Sequence, residues 1–264
     1  MRGSRRLAGD WLPAAVIVVA AIAGWEVYVR VSGTPAWLLP PPSALPGAMA
    51  GEAPELARHT LVTLSEVLVG FAVGATVGIA TAVAIAFSPL LERALYPLVV
   101  ASQAVPIPVL APLLVISLGY GLAPKVVLVA LICFFPIAVN TADGLRAVDR
   151  ELLDLLRTFG ATRRQVFAKV RWPAALPYLF SGLRVAAAVS VIGAVFGELV
   201  GASAGLGYYV RHEMPLFHTD RVYAATVLLA LLGIGLFLSV RAMEWLLLPW
   251  RRAARVDRRG GGPS

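Results

Sequence analysis

The chain has 264 residues, of which 59% are hydrophobic and 14% are charged, and its formal net charge is +8 at pH 7. A soluble domain carries about 25% charged residues, so this chain has too little polar surface to cover a globule in water. Its apolar segments approach the roughly 20 residues that cross a hydrocarbon core of about 30 Å. Composition therefore excludes an ordinary soluble protein and predicts that the solvent is the lipid bilayer.

The apolar segments are continuous rather than alternating, which favours helices over the strands of a barrel. We predict an all-α membrane protein with about six transmembrane helices, separated by breaks that are mostly rich in proline and glycine. The predicted spans are 12–29, 60–87, 95–118, 124–142, 178–201 and 222–246.

Lysine and arginine lie mainly at the ends of these spans and in the connections between them. With the N-terminus in the cytoplasm, 18 of them fall on the inner side and five on the outer side. This bias follows the positive-inside rule and predicts that both termini are cytoplasmic. The same distribution accounts for the net charge, so no nucleic-acid partner is expected.

The first apolar segment has two interpretations. Arg5 and Arg6, a short apolar stretch and the sequence Ala21-Ile22-Ala23 together have the form of a cleavable signal peptide. The apolar run continues from Trp25 to Val29, however, and this favours a retained helix.

Two of the predicted helices carry small residues at every fourth position. Such stripes let helix backbones approach closely inside a bilayer. Packing within the chain is the interpretation we favour, and a dimer interface is the alternative; the sequence does not say which helices face each other. The stripes are Gly70, Gly74, Gly78, Ala82 and Ala86 in one helix, and Gly193, Gly197 and Gly201 in the other.

The stretch 143–177 is a long amphipathic region, in which we predict two short helices. Asp149 is placed to cap the first helix and Gly160 to end it. Thr162 and Gln165 have the spacing of a capping box for the second helix, and Trp172-Pro173 is expected to end it. The apolar face of the first helix consists of Leu152, Leu155, Leu156 and Phe159.

Periodicity leaves two roles open for these short helices. They lie on lipid headgroups or on their own bundle, or they fill a groove in a partner protein.

The residues Asp154-Leu155-Leu156-x-x-x-Gly160, nine further residues and Val170-x-Trp172-Pro173 resemble the EAA motif of permease subunits of ATP-binding-cassette importers. Asp replaces Glu, two Leu replace two Ala, Val replaces Ile and Trp replaces Leu, while the glycine, the spacing and the proline are kept. The resemblance extends over about residues 40 to 245 and is closest to the nitrate/sulfonate/taurine branch, within which the last segment looks like permeases for thiamine-pyrimidine precursors or riboflavin. The segments that carry this likeness are Gln103–Pro106, Ala111–Leu113, Gly119–Gly121, Ser181–Arg184 and Gly197–Tyr209.

This resemblance implies a coupling element that docks on an ATPase. The docking residues that it implies are Asp154, Leu155, Leu156, Gly160, Val170, Trp172 and Pro173. It further implies two copies of an ATP-binding subunit, a second permease copy in a homodimer, an extracytoplasmic solute-binding protein and a place in the bacterial plasma (inner) membrane. ATP and Mg would be held by the partner ATPase, and no cofactor is expected in this chain.

On this basis we divide the chain into three parts. Residues 1–58 comprise a cytoplasmic tail, the first transmembrane helix and an extracytoplasmic linker. Residues 59–248 form the permease core with the coupling loop 143–177, and residues 249–264 form a basic cytoplasmic tail.

No catalytic or metal-binding constellation is expected. A phosphate-binding loop of the form Gly-x-x-x-x-Gly-Lys-Ser/Thr is absent from the sequence. The histidines His59, His212 and His218 are expected to be solvated residues near the outer surface, and the single cysteine, Cys133, is expected to be a packed core thiol.

Ionisable side chains inside spans are costly, and they are therefore candidates for function. Glu66, Glu198 and, among the polar residues, Gln103 are our candidates for the translocation path. The alternative for both carboxylates is structural pairing, with Arg58, Arg211 or a backbone donor. An ion-coupled secondary transporter or channel without an ATPase is the rival function, but the inverted repeat and deep charges that it predicts are not evident.

Overall fold

The computed structural model describes residues 4–250, with the main chain alone for residues 4–11, 14, 89 and 103. Most of the predicted basic tail, from 251 onward, lies outside the described residues. Between 4 and 250 the chain is built of helices and short connections, as predicted. Its α-helices are α1 (Ser4–Ser32), α2 (Leu45–Gly51), α3 (Ala53–Phe87), α4 (Pro89–Ala101), α5 (Ile107–Leu118), α6 (Leu122–Arg146), α7 (Arg150–Thr158), α8 (Arg163–Val166), α9 (Trp172–Gly201), α10 (Leu206–Glu213) and α11 (Thr219–Leu247).

Five helical segments in the described part are long and apolar enough to cross a membrane. They correspond to the first, second, fourth, fifth and sixth predicted spans. The all-helical membrane fold is therefore confirmed, and the third predicted span has a different form.

The third predicted span, 95–118, is not one helix. It consists of the end of α4, a short 3-10 turn at Ser102–Ala104 and α5, with Val105 and Pro106 extended between them. A proline has no backbone N–H to donate, and it also drives the preceding residue out of the helical region. Pro106 therefore separates two helices within the third predicted span.

Helix α6 lies between α3 and α9 and forms the centre of the bundle. The glycine stripe of α3 faces α6, where Gly74 approaches the carbonyl oxygen of Ala130 and Gly78 approaches that of Phe134. The stripe of α9 faces the same helix, with Gly193 against the backbone of Val129. Both stripes thus serve packing within the chain, which lets three backbones come close in a medium that gives helices no hydrophobic reason to associate.

Buried apolar side chains fill the remaining space between α3, α6 and α9 and form the core of the bundle. Its buried members include Val67 of α3, Val129 and Cys133 of α6, and Ala186 and Ala194 of α9. The Cys133 thiol is fully buried, and its sulfur lies 3.7 Å from the carbonyl oxygen of Ala186.

Helix α1 lies largely outside this core. Only 6% of its apolar segment Ala15–Ser32 is buried. Its contacts lie at one end, where the Trp25 ring stands 5.3 Å from that of Tyr223 and Glu26 accepts hydrogen bonds from Ser43. Its retention in the mature protein stays a prediction.

The second short helix of the amphipathic region does not end at Trp172-Pro173, and that prediction is wrong. Helix α8 continues through a π-helical turn, Phe167–Arg171, directly into α9. In this wider turn the N–H of Trp172 bonds the carbonyl of Phe167. Pro173, which has no N–H to donate, follows this wider turn as the second residue of α9, and the helix continues past it.

The close approach of α3 to α6 can be tested with the substitution Gly74→Ala. The new Cβ would lie 2.7 Å from the Ala130 oxygen and 2.9 Å from the Cys133 Cβ, so the helices must separate. We expect a loss of about 1–3 kcal/mol of stability, measured as thermal unfolding in detergent.

Gly235→Ala on α11 is the matched control, because nothing lies within 4 Å of its added methyl group. It should cost no stability. An equal loss in both variants would show that the contact with α6 is not its cause, because alanine has a higher helix propensity than glycine and should not destabilise an open position.

Candidate functional site

Two regions of the bundle hold the predicted site residues. One is the exposed end built by α7 and α8, here named the loop end. The other is a buried polar cluster near the opposite end of the bundle, where α3 and α6 meet the connection between α9 and α10; we name it the polar cluster and define its residues below.

At the loop end, local sequence signals define the helices as predicted. Asp149 caps α7 by accepting a hydrogen bond from the N–H of Glu151 at 3.0 Å. Gly160 follows the helix with φ of +79°, a conformation that glycine adopts without a Cβ penalty. Thr162 and Gln165 form both hydrogen bonds of a capping box at the start of α8.

Most of the predicted apolar face of α7 is uncovered by residues 4–250. Leu155 is 53% exposed and Phe159 is 80% exposed, and Leu152 is exposed beside them. Leu153, on another side of the helix, is the buried residue that anchors α7 to its own chain. Apolar side chains outside the spans, held on a capped helix and facing outward, have the form of a docking surface.

The predicted docking residues fall into two groups. Asp154, Leu155 and Gly160 are exposed, with Asp154 hydrogen-bonded to Arg157 at 2.8 Å, and Leu156 is partly buried. The second group, Val170, Trp172 and Pro173, is half-buried where the π turn enters α9. There the Trp172 ring lies 6.0 Å from that of Phe167, which in turn packs at 4.6 Å on Phe87 of α3.

The polar cluster begins with an ion pair between α3 and α6. Lys125 Nζ lies 2.5 Å from Glu66 Oε1, and both side chains are buried. Lys125 is in the first turn of the central helix, directly after Pro124. This pair therefore ties the centre of the bundle to α3 at one level of the bilayer.

Glu198 of α9 forms the second part of the cluster. Its Oε1 accepts a hydrogen bond from Thr63 Oγ1 at 2.6 Å, and its Oε2 accepts one from the N–H of Gly207 at 2.5 Å. Thr63 also accepts a hydrogen bond from the N–H of Leu206 at 2.8 Å, and His59 Nδ1 accepts one from the N–H of Gly205. The cluster thus consists of His59, Thr63, Glu66, Lys125 and Glu198 together with the backbone of residues 205–207.

These hydrogen bonds fix the glycine-rich connection onto α3. The first N–H groups of a helix have no partner in the helix, and Thr63 and Glu198 accept those of α10. Gly205 has a φ of +114°, and a Cβ there would collide with the Glu198 carboxylate. Glycine at this position is required both by the backbone conformation and by the carboxylate that approaches it.

The structure brings Glu66 and Glu198 into one cluster. Glu198 accepts a hydrogen bond from a backbone N–H, one of the expected partners, whereas Glu66 pairs with Lys125. Neither carboxylate bonds Arg58 or Arg211. Arg58 bonds Glu55, and Arg211 donates to the carbonyl oxygens of Leu199 and Ala202. The side chain of Gln103 lies outside what the structure describes, while its main chain is in the 3-10 turn before the Pro106 break. A role for these three residues in the translocation path stays a prediction.

Sequence reasoning missed three members of the polar cluster. Lys125, at the start of the fourth predicted span, was counted among the outer-side charges, and it is buried and paired with Glu66. His59 was expected to be solvated and is buried, with Thr63 one turn further along α3. A signal for Lys125 was present, because it stands between a proline and a continuous apolar run.

A cavity of about 530 Å³ opens beside the cluster. It is lined by Tyr120 and Gly121 on one side and by Ser203 and Arg211 on the other, and Lys125 also contributes to its wall. Through Lys125 this space adjoins the ion pair with Glu66.

Glu213 organises the corner after α10. Its carboxylate contacts His212 Nδ1 at 3.0 Å, His218 Nδ1 at 2.6 Å and Arg221 at 3.3 Å. Burial raises the pKa of Glu213, but the hydrogen bonds from both histidines and the charge of Arg221 outweigh this effect and hold the pKa below its usual range. His212 and His218 thus have structural partners, and no group of three His, Cys, Asp or Glu suited to a metal ion occurs among the described residues.

The ion pair of the polar cluster can be tested by removing its members singly and together. Glu66→Gln or Lys125→Met leaves one buried partner without its counter-charge, and each should cost about 3–5 kcal/mol of unfolding free energy. The double variant Glu66→Leu/Lys125→Met removes both charges and should recover most of this loss.

Glu55→Gln is the control, since the Glu55–Arg58 pair is exposed and should contribute about 1 kcal/mol or less. Unfolding in detergent, followed by tryptophan fluorescence, measures all four variants. A cost for Lys125→Met no larger than that for Glu55→Gln would contradict the assigned role of the pair.

Comparison with known proteins gives the family. Residues 74–248 match the profile of the binding-protein-dependent transport system inner membrane component. The chain is 40% identical to the formylaminopyrimidine transport permease protein ThiX of Halalkalibacterium halodurans, over 86% of this chain and 91% of that protein. It is 36% identical to the riboflavin transport system permease protein RibX of Chloroflexus aurantiacus, over 95% of this chain and 94% of that protein.

The fold has a match among solved structures. An inward-facing structure of the MetNI methionine ABC transporter superposes with a TM-score of 0.63 over 72% of this chain and 94% of that chain, at 22% identity. The family profile and the two permease relatives support the importer over an ion-coupled transporter or channel. The chain therefore belongs to the family of binding-protein-dependent transport system inner membrane components, and it is the membrane-spanning permease subunit of an ATP-binding-cassette importer.

Proposed function

We propose that this chain forms one half of an ATP-driven import pathway in a homodimer of permease subunits. Two ATPase subunits, which hold ATP and Mg, dock at residues 150–173 of the two copies. A solute-binding protein delivers its ligand to the opposite side of the membrane. The observation that carries this proposal is the exposed apolar face of α7, because it is held on a capped helix outside the spans.

The continuity of α8 with α9 supplies a route for coupling. Residues Arg163–Gly201 form one helical segment of 39 residues, about 58 Å long at the usual rise of about 1.5 Å per residue. It begins next to the docking surface and ends at the Glu198 clamp on the connection to α10. Closure of the ATPases would displace α7, and this segment would carry the displacement to the far end of the bundle.

For the solute, we propose a small heteroaromatic compound of the pyrimidine or flavin class. The support is that the two relatives described above are permeases for formylaminopyrimidine and for riboflavin, at 40% and 36% identity. A sulfonate or taurine remains the alternative, since the sequence also resembles that branch. Measuring what the companion solute-binding protein holds after purification distinguishes the two classes.

The docking role can be tested with Leu155→Arg in the chain co-expressed with the ATPase encoded beside it. A charge in the middle of the apolar face should abolish capture of the ATPase by the tagged permease, and Gly160→Val should weaken capture because the glycine has positive φ. Co-purification in mild detergent is the measurement.

Leu216→Arg provides the matched control, since Leu216 is 51% exposed against 53% for Leu155 but lies after α10 at the other end of the bundle. ATPase capture should be unchanged in this variant. Full capture by Leu155→Arg would count against docking at α7.

The proposed orientation, with α7 in the cytoplasm, can be tested by cysteine labelling. Cys133 is buried, so a chain carrying Cys133→Ala is a clean background. In intact cells a membrane-impermeant maleimide should label Ser203→Cys, whereas Thr158→Cys should react only after the membrane is opened. Both positions are exposed in the structure, and the opposite pattern would reverse the topology.

A further inference from the structure

A second pocket lies at the loop end, between the last turn of α3 and the connection from α7 to the π turn. It has a volume of about 240 Å³ and is lined by three arginines and by an apolar wall. The arginines are Arg157, Arg163 and Arg171, and the wall includes Ala86, Phe87 and Phe167. No acidic side chain is among its lining residues.

The positive charge in this pocket is mostly uncompensated. Arg157 is paired with Asp154 at 2.8 Å. Among the hydrogen bonds and ion pairs of residues 4–250, none involves the guanidinium group of Arg163 or of Arg171, and Arg171 Nε is buried without an acceptor. A buried guanidinium donor with no partner is costly, because it has lost its hydrogen bonds to water without forming new ones in the protein.

We propose that this pocket binds the phosphate group of an anionic lipid headgroup. Three guanidinium groups offer planar pairs of donors that match phosphate oxygens. The pocket volume exceeds that of several water molecules at about 30 Å³ each, so it has room for a phosphate and its first ester atoms.

The position of the pocket points to a lipid. Ala86 and Phe87 are the last two residues of α3, a membrane-length helix, so the pocket lies where a span leaves the hydrocarbon. The aromatic pair Phe87 and Phe167, with ring centroids 4.6 Å apart, gives an apolar wall beside the charged one. Basic pockets between helices at this level suit lipid headgroups.

The geometry of α7 argues against an acidic group of the ATPase as the occupant. Arg157 stands one turn after the buried Leu153, so the two share a side of the helix, although the Arg157 side chain itself is 63% exposed. The docking surface of Leu152, Leu155 and Phe159 is on another side and is exposed. The pocket therefore opens on a different side of α7 from this apolar face, although residues 150–173 contribute to both. Lipid binding is expected whether or not an ATPase docks on α7.

The test uses the full-length chain purified in a non-ionic detergent, without any partner. Phosphatidylglycerol, phosphatidylcholine and inorganic phosphate are each titrated, and the rise in the thermal unfolding midpoint gives an apparent affinity. Phosphatidylglycerol should stabilise the protein most, since the choline ammonium would be repelled by the arginines. In Arg163→Gln and Arg171→Gln the half-saturating concentration of phosphatidylglycerol should rise by about tenfold or more.

Arg164→Gln is the charge-matched control, because Arg164 is exposed on the same short helix and does not line the pocket. It should bind phosphatidylglycerol as the unsubstituted chain does. An equal loss in Arg164→Gln would reduce the effect to general surface charge and overturn the proposal. Equal stabilisation by phosphatidylcholine would overturn it too, and equal stabilisation by inorganic phosphate would replace the lipid with a soluble anion.

Two further results distinguish lipid binding from a folding defect and from binding of the ATPase. If Arg171→Gln fails to fold, Arg163→Gln still decides, because Arg163 is exposed and its loss leaves no buried gap. If Arg163→Gln binds lipid normally but no longer captures the co-expressed ATPase, the pocket belongs to the protein partner and the lipid proposal is wrong. Failure of the unsubstituted chain to capture any ATPase would affect the proposed docking alone.

Discussion

The close approach of α3 and α9 to α6 is the constraint on which the rest of the bundle depends. Lipid tails are as apolar as leucine, so burying an apolar side chain between helices gains little over leaving it in the bilayer. Association has to come from contacts that lipid cannot provide, and glycines at 70, 74 and 78 in α3 and at 193 and 197 in α9 allow them. The helix backbones approach each other closely at these positions, so a single added methyl group is enough to force the helices apart.

The polar cluster fixes the register of the packed helices. A glycine stripe repeats along a helix, so by itself it tolerates sliding by one turn. The Lys125–Glu66 ion pair and the Thr63–Glu198 hydrogen bond each join two helices at one level and remove that freedom. A shift of one turn would leave buried charges without partners, which costs far more than the small differences between packing registers. The same cluster fixes the start of α10, so the connection after α9 is part of the rigid core.

The two ends of the molecule are joined by one covalently continuous helix. A π turn carries the chain past Pro173 without a break, so the segment from α8 to the end of α9 links the exposed face of α7 with the Glu198 clamp. A proline that ended this helix would have placed a flexible joint between them. The wider turn preserves the connection, which suits the coupling role proposed above.

The sequence alone determined the properties that depend on composition and on neighbours close along the chain. The bilayer as solvent, five of the six spans, the caps at Asp149 and at Thr162 with Gln165, and the turn at Gly160 all follow from such signals. The motif from Asp154 to Pro173 also indicated the family, which the comparisons confirm. Tertiary structure decided that α6 is the central helix and that Lys125, counted among the outer-side charges, is the buried partner of Glu66. The reason is physical: lipid makes every apolar helix face nearly equivalent, so partner choice rests on backbone approach and charge pairing between residues as far apart as Thr63 and Glu198.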